Sequence, residues 1–508
     1  MTLDYSKLQN GSDIRGVALE GVASEPVNLD KETAERLTRG FIMWLEIKTG
    51  KKAKDLTVSV GHDSRLSADM LKDALVKTLA KVGCRVFDCG LASTPAMFMS
   101  TVFDDYKADG AIMITASHLP FNRNGFKYFS KDGGLEKRDI STIISYAESE
   151  ICYENLPDAV AELPIEKRDL IGSYSEFLKN KIKAEVNAND YDRPLLGLKI
   201  VVDAGNGAGG FYAKRILEPL GADVSGSQYL EPDGNFPNHQ PNPENKEAMD
   251  AISMAVIASK ADFGLIFDTD VDRAAAVDKS GNEISRNAIV AMAAALIAKE
   301  HPGTTVVTDS ITSDELNKFL TEELEVKHLR FQRGYRNVIN KSIELNKSGI
   351  DSQLAIETSG HAAYKENYFL DDGAYLATKI VIKAAQLKKR NLTIDRLIKG
   401  LEFPKEAKEV RFPIKAEYFV AYADMVLEGL KTWARAREFK GVTIVEPNFE
   451  GVRLRFDAPD LKGWCLLRKS LHDPLMPLNI EVTVGSCDDI LTMITNFLRN
   501  YDEIELKK

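Results

Sequence analysis

The 508-residue chain lacks most of what would take it out of the ordinary globular class. No apolar run approaches the roughly 20 residues needed to cross a bilayer, so no membrane span is expected. Its first residues, Met1-Thr2-Leu3-Asp4, lack the basic-then-apolar pattern of a secretory signal. Cysteine is scarce: Cys84, Cys89, Cys152, Cys465 and Cys487 are odd in number and form no C-x-x-C pair. That disfavours a disulfide framework and suits reduced thiols in a cytoplasmic protein. Positive charge is not in excess, since 66 Lys and Arg face 76 Asp and Glu for a net charge of -10. A nucleic-acid binder would need a basic patch, and none stands out. Local cations still leave room for an anionic small molecule.

What is present is an α/β rhythm. The apolar content of 44% and charged content of 28% are those of a folded protein. The length exceeds a single core and implies several domains. Asp30 caps an apolar stripe through Ala34, Leu37, Phe41 and Leu45. Strand-like Leu56–Val60, a helix from near Ser67 closed by Gly83, strand-like Arg85–Phe87 and a helix opened by Thr94-Pro95 follow. This alternation predicts a parallel sheet with right-handed crossovers. The rhythm recurs around Lys199–Asp203 and Phe263–Phe267, and again around Thr304–Val307 and Leu354–Ile356. Ala274–Val277 before Ser280-Gly281-Asn282 reads as a hairpin. The charged stretch from Glu148 to Arg168 reads as a linker. From about Glu402 strands cluster instead of alternating, which predicts an α+β region.

Four loops carry the chemistry. The first, Thr115-Ala116-Ser117-His118-Leu119-Pro120, leaves the end of an apolar strand, where ligands of open α/β sheets bind. An Asn124-Gly125 turn and Lys127 follow. A Ser-His pair in a loop is ordinarily a solvated one, so Ser117 and His118 gain meaning only from their company. The second loop, Asp268-Thr269-Asp270-Val271-Asp272-Arg273, follows a buried strand. Its alternate carboxylates leave an extended backbone on one side and repel unless a cation sits among them. Hard oxygens suit magnesium or calcium. An EF-hand is excluded, because its sixth and twelfth positions would be Arg273 and Lys279. The third loop is Glu357-Thr358-Ser359-Gly360-His361, with Arg333-Gly334-Tyr335 before it. The fourth is Arg468-Lys469-Ser470-Leu471-His472-Asp473-Pro474. Gly205, Gly207 and Gly210 match a dinucleotide-binding spacing but have no secure acidic partner, so a packing role is preferred. No G-x-S-x-G elbow surrounds Ser117, which disfavours a serine hydrolase.

Taken together, these loops resemble the alpha-D-phosphohexomutase superfamily, and within it the bacterial phosphomannomutase/phosphoglucomutase group. The first matches T-A-S-H-N-P with N-G-x-K, Leu119 replacing Asn. The second matches D-G-D-x-D-R, with Thr269 for Gly. The third matches G-E-x-S-G-H, with Ile356 for Gly. The fourth departs from R-x-S-G-T-E-P at Leu471, His472 and Asp473. Ser12-Asp13-Ile14-Arg15-Gly16 resembles the family's opening segment.

The resemblance implies three similar doubly wound α/β domains and a smaller α+β C-terminal domain around a central cleft. Their expected extents are 1–165, 166–287, 288–402 and 403–508. It implies a mutase that exchanges hexose 1- and 6-phosphates of glucose and/or mannose through phosphorylated Ser117 and a hexose 1,6-bisphosphate. Mg2+ would sit on Ser117, Asp268, Asp270 and Asp272. Arg15, His118, Lys127, Arg273 and His361 would serve the transfer, with His361 and Lys127 both open as proton acceptor. Gly334, Tyr335, Glu357, Thr358, Ser359, Arg468, Lys469, Ser470 and His472 would bind the phosphosugar. The expected protein is a cytoplasmic monomer or homodimer, with neither nucleic-acid nor membrane partners. A glucose 1,6-bisphosphate synthase and a phosphoglucosamine mutase are the alternatives, and a noncatalytic sugar-phosphate binder ranks last.

Overall fold

The computed structural model describes residues 4–156, 164–470 and 473–506. The chain forms two compact units. The first comprises Met1–Ile289 and Ser359–Leu397, the second Val290–Thr358 and Ile398–Lys508. Among the described residues no helix is long and apolar enough to cross a membrane.

The first unit is built on two sheets. In the larger, the strands run in the order Gln9–Asn10, Asp13–Val17, Arg123–Ser130, Gly110–Ile114, Thr57–His62, Arg85–Leu91, Ile165–Lys167. The last four are mutually parallel, but Arg123–Ser130 and Asp13–Val17 pair antiparallel. The sheet is therefore mixed, where alternation alone predicts a parallel one. The Asn124-Gly125 pair explains the difference. It lies inside a strand instead of forming a turn. Gly125 faces Arg15, and a Cβ there would collide with the Ile14 carbonyl. Asn124 is buried and donates to Ser67 Oγ at 2.8 Å. The glycine thus serves close strand approach, not chain reversal.

The second sheet orders Glu283–Ile284, Ala274–Asp278, Phe263–Phe267 and Ile200–Asp203. Only the last two strands are parallel, and the expected hairpin after Ala274 is present. The glycine-rich turn leads into a π-helical turn, Tyr212–Leu217. Its packing role is visible at Gly207, where a Cβ would lie 2.6 Å from the Thr269 carbonyl. The stretch read as a linker holds a helix, Ile151–Glu154, and the strand Ile165–Lys167; residues 157–163 lie outside the described residues.

Helices follow their sequence signals closely. Asp30 caps Lys31–Thr49 by accepting from the Thr33 N–H at 2.9 Å. Its buried face meets the helix Lys137–Glu148 in one apolar core. Gly40 sits at that contact.

In the second unit, Thr305–Thr308 runs parallel to both Lys327–Arg330 and Leu354–Ile356. The C-terminal part is an antiparallel sheet ordered Glu406–Pro413, Leu475–Val484, Leu461–Leu467, Val452–Ala458, Val442–Ile444. Helices Phe419–Arg435 and Cys487–Leu498 share a core with it. This is the α+β region expected, although Glu406–Pro413 gives no strand signal: Glu406, Lys408, Glu409 and Arg411 charge half of this edge strand. Arg453 is buried there, with its guanidinium 3.7 Å from the Trp464 ring centroid and a 3.0 Å pair with Asp314.

All five cysteines are buried free thiols. Burial pushes Cys84, Cys89 and Cys465 up to about 12.

Two stability measurements follow. Gly40→Ala raises helix propensity by about 1 kcal/mol. The new Cβ would strike the Ile143 carbonyl, and overpacking of this kind costs about 1–3 kcal/mol. We expect a net loss, read as a lower Tm; an unchanged or higher Tm means the two helices separate easily. Glu481 accepts from Trp464 Nε1 at 3.0 Å, and burial, then the charge of Glu315, pushes its carboxyl up to about 7. The folded state then holds this proton more tightly than the unfolded chain, whose Glu titrates near about 4.3. Stability from this group is present at low pH and lost as pH rises toward about 7. Glu481→Gln should lose less Tm than the parent between about pH 5 and about pH 7.

Candidate active site

The strand Gly110–Ile114 ends in Thr115-Ala116-Ser117, and Ser117 takes a left-handed conformation with φ 49°. Its N–H donates to Thr115 Oγ1 at 2.9 Å. Phe263–Phe267 delivers the aspartate loop to the same place. Ser117 Oγ lies 3.0 Å from Asp268 Oδ2 and 2.9 Å from Arg273 Nη2. Arg273 also holds Asp268 at 3.0 Å and donates to His118 Nδ1 at 2.7 Å. Lys127 Nζ, on the antiparallel strand, meets Asp272 at 2.8 Å and Asp13 at 3.7 Å. Arg15 donates to Asp13 at 2.8 Å and to the Thr115 carbonyl. The Arg15–Asp13 pair is largely shielded from solvent. His361 reaches Asp371 at 2.5 Å and Asp272 at 3.8 Å, on a segment bridged to Arg273.

The aspartates are fully buried, so these charges act on one another with little solvent between them. Burial, and then Asp272, pushes the Asp268 carboxyl well up. Burial pushes Asp272 up too, but Lys127, His361 and Arg273 outweigh it and hold that carboxyl well below the usual range. Burial, then Arg273 and Arg15, pushes His118 down to about 3, so it faces Arg273 as a neutral acceptor. Burial opposes charge on His361, yet Asp371 and Asp272 raise it to about 9.

The loop fits a cation. One carboxylate oxygen from each of Asp268, Asp270 and Asp272 lies within 4.8 Å of the others. Thr269 Oγ1, Asp270 Oδ1 and Asp272 Oδ1 are buried and have no hydrogen-bond partner among the described residues. Hard oxygens left without donors are what an oxygen-seeking divalent ion satisfies. Thr94 fixes the loop from behind through Asp270 Oδ2 at 2.5 Å.

The remaining candidates divide at the unit boundary, which falls between Thr358 and Ser359. Ser359 belongs with His361 in the first unit. In the second unit, Glu357 accepts from the Gly334 N–H at 2.7 Å, and Tyr335 starts a helix, Tyr335–Lys347. Thr358 Oγ1 donates to Asp309 at 2.7 Å. Arg468 is 7% exposed, so this loop is not simply a basic surface. Its guanidinium lies 3.7 Å from Glu450, which also accepts from Ser310 Oγ and the Arg333 N–H. Burial pushes Arg468 down and Glu450 restores part of the loss. Lys469 instead pairs with Asp424 at 2.7 Å, and Ser470 Oγ accepts from the Asp473 N–H. His472 lies outside the described residues. Sequence reading missed Asp13, Asp371 and Glu450 as partners of Arg15, His361 and Arg468, because neither the turn nor the strand that brings each carboxylate to its cation has a local mark.

The chain matches three family descriptions in succession. They are phosphoglucomutase/phosphomannomutase alpha/beta/alpha domain I over residues 6–152, domain II over 172–281 and domain III over 285–401. It is 32% identical to a phosphoglucomutase/phosphomannomutase of Thermococcus kodakarensis, over 94% of each chain. It is 31% identical to a phosphoglucosamine mutase of Lactobacillus acidophilus, over 77% of this chain and 81% of that one. A crystal structure of a phosphoglucomutase/phosphomannomutase family protein from Burkholderia thailandensis is similar, with a TM-score of 0.75 at 26% identity, covering 98% of this chain and 97% of that one. The buried serine–aspartate–arginine cluster and these matches agree: the chain belongs to the phosphoglucomutase/phosphomannomutase family of the alpha-D-phosphohexomutase superfamily, as a mutase that isomerises by phosphoryl transfer.

Proposed function

We propose that this chain interconverts hexose 1-phosphates and hexose 6-phosphates, of glucose and/or mannose, through a phosphoserine at Ser117. A sugar hydroxyl attacks the phosphoserine phosphorus, the new O–P bond forms, the bond to Ser117 Oγ breaks, and the freed Oγ regains a proton, so that overall the serine gains the proton that the sugar loses. The hydroxyl proton passes to a base, for which Lys127 and His361 are the candidates, either of which must first give up the proton that its carboxylate partners favour. The product of this half is a hexose 1,6-bisphosphate, and the reverse reaction from its other end restores phosphorylated Ser117.

The observation that carries the reading is the pairing of Ser117 Oγ with Asp268 and Arg273 inside a buried, charge-dense pocket. Arg273, Arg15 and Lys127 would stabilise charge on the transferring oxygens. His118, neutral beside Oγ, would accept a donor from Arg273 and leave the phosphoryl oxygens to cations. Asp268, Asp270 and Asp272, with the phosphoserine, would hold Mg2+, which supplies Lewis acidity and charge neutralisation when bound. Glu357, Thr358 and Ser359 would recognise sugar hydroxyls, with Gly334 and Tyr335 beside them. Arg468, Lys469, Ser470 and His472 would take the phosphate not being transferred. Domain extents of 1–165, 166–287, 288–402 and 403–508, and residence in the cytoplasm as a monomer or homodimer, complete the proposal. Aminated hexoses form a second substrate class, favoured by the likeness to the phosphoglucosamine mutase.

Ser117→Ala should lower kcat on glucose 1-phosphate and mannose 1-phosphate by about 1,000-fold or more, equal to about 4 kcal/mol of barrier. Intact-mass measurement should find one phosphoryl group on the parent after incubation with glucose 1,6-bisphosphate and none on the variant. Parent-like turnover by Ser117→Ala sinks the reading. Chelation should abolish turnover and added Mg2+ restore it. Mg2+ should also raise the Tm of the parent but not of Asp270→Asn; a shift in both would put the cation elsewhere.

A further inference from the structure

The loop after Thr57–His62 supplies a side chain that the reaction above does not use. Arg65 is 2% exposed. Its Nη1 donates to the carbonyls of Pro120 at 2.8 Å and Arg123 at 2.9 Å. Its Nη2 donates to the carbonyls of Ser117 and Leu119. Asp63 lies 3.5 Å behind Nε, and the Phe236 ring covers one face at 5.4 Å. Four carbonyls of one short loop therefore converge on a single cation.

We infer that Arg65 is a positioning residue that sets the conformation of the Ser117 loop, an inference that rests on Ser117 being the phosphoryl carrier. The loop holds Ser117 in the left-handed region, which a non-glycine residue leaves unless something fixes it. The bond to the Ser117 carbonyl is placed to do so. A planar guanidinium with a rigid fork of donors can span four carbonyls, whereas a lysine offers donors around one point. The carbonyls carry no charge, so Arg65 holds the loop through hydrogen bonds and not through ion pairs.

The backing is firm on the side away from the loop. Gly234 approaches so closely that a Cβ there would lie 2.5 Å from the Leu66 N and 2.6 Å from the Ser64 carbonyl. The same turn-rich segment sends Gln240 Nε2 to the His118 carbonyl at 2.7 Å. Arg65 is thus held between a fixed backbone and the loop it shapes. Because misplacing a reacting group by about 1 Å can cost about 100-fold in rate, such a residue affects the chemical step without touching substrate.

The test uses the full chain with glucose 1-phosphate as substrate and glucose 1,6-bisphosphate as phosphoryl donor. For Arg65→Ala we expect kcat to fall about 100-fold while KM stays within about threefold. Added guanidinium chloride at low, non-denaturing concentration should recover about tenfold of the lost kcat in the variant and none in the parent. Arg65→Lys should keep a parent-like Tm and still lose kcat. The inference is overturned by a kcat within threefold of the parent in either variant, or by absence of guanidinium recovery in a folded Arg65→Ala. If Arg65→Ala does not fold, Arg65→Lys decides alone. If neither folds, the residue is structural only and the inference falls. Ser117→Ala separates the two readings: full activity there removes the phosphoserine proposal, whereas indifference confined to Arg65 removes only the clamp.

Discussion

Opposite charges held out of water govern the first unit. Asp268, Asp270 and Asp272 have lost their hydration, and so have Arg273 and Lys127. An isolated buried ion is too costly to persist, so each must find a partner. Asp268 finds Arg273 and Asp272 finds Lys127. Removing one member of such a pair leaves an uncompensated charge, typically worth about 3–5 kcal/mol. The segments around residues 13–15, 115–127, 268–273 and 361–371 consequently depend on one another. The geometry around Ser117 is specified several times over, which suits a site where charge builds up during transfer.

The second unit also pairs its buried charges. Its buried cations, Arg453 and Arg468, are set against Asp314 and Glu450, and it buries two carboxylates as well, Asp309 and Glu357. Glu450 gathers donors from three segments, including the Arg333 backbone. A carboxylate so placed gives the Arg468 guanidinium a partner at 3.7 Å before any ligand arrives. That preorganisation reduces the ordering cost of binding an anion.

How much of this was legible in the residues varies with range. Ser117 and the aspartates were legible because a strand end followed by alternating acids is a local pattern. Asp30 announced its helix because a cap acts within one turn. Gly125 misled, since Asn-Gly reads as a turn unless one knows that Ile14 runs beside it. The antiparallel pairing of Asp13–Val17 with Arg123–Ser130 was missed for the same reason: partners over a hundred residues apart leave no local period. Arg65 sits in an ordinary-looking turn, and its burial comes from Phe236 and the Ser117 loop, both distant in sequence.

The sulfur chemistry has a practical corollary. Every native thiol is shielded and reluctant to ionise, so alkylating reagents and mild oxidants meet no ready nucleophile on the folded protein. A cysteine engineered onto the exterior of each unit would therefore take a fluorophore or spin label against a silent background. Distances between the units could then be followed during turnover without first stripping the natural sulfurs from the chain.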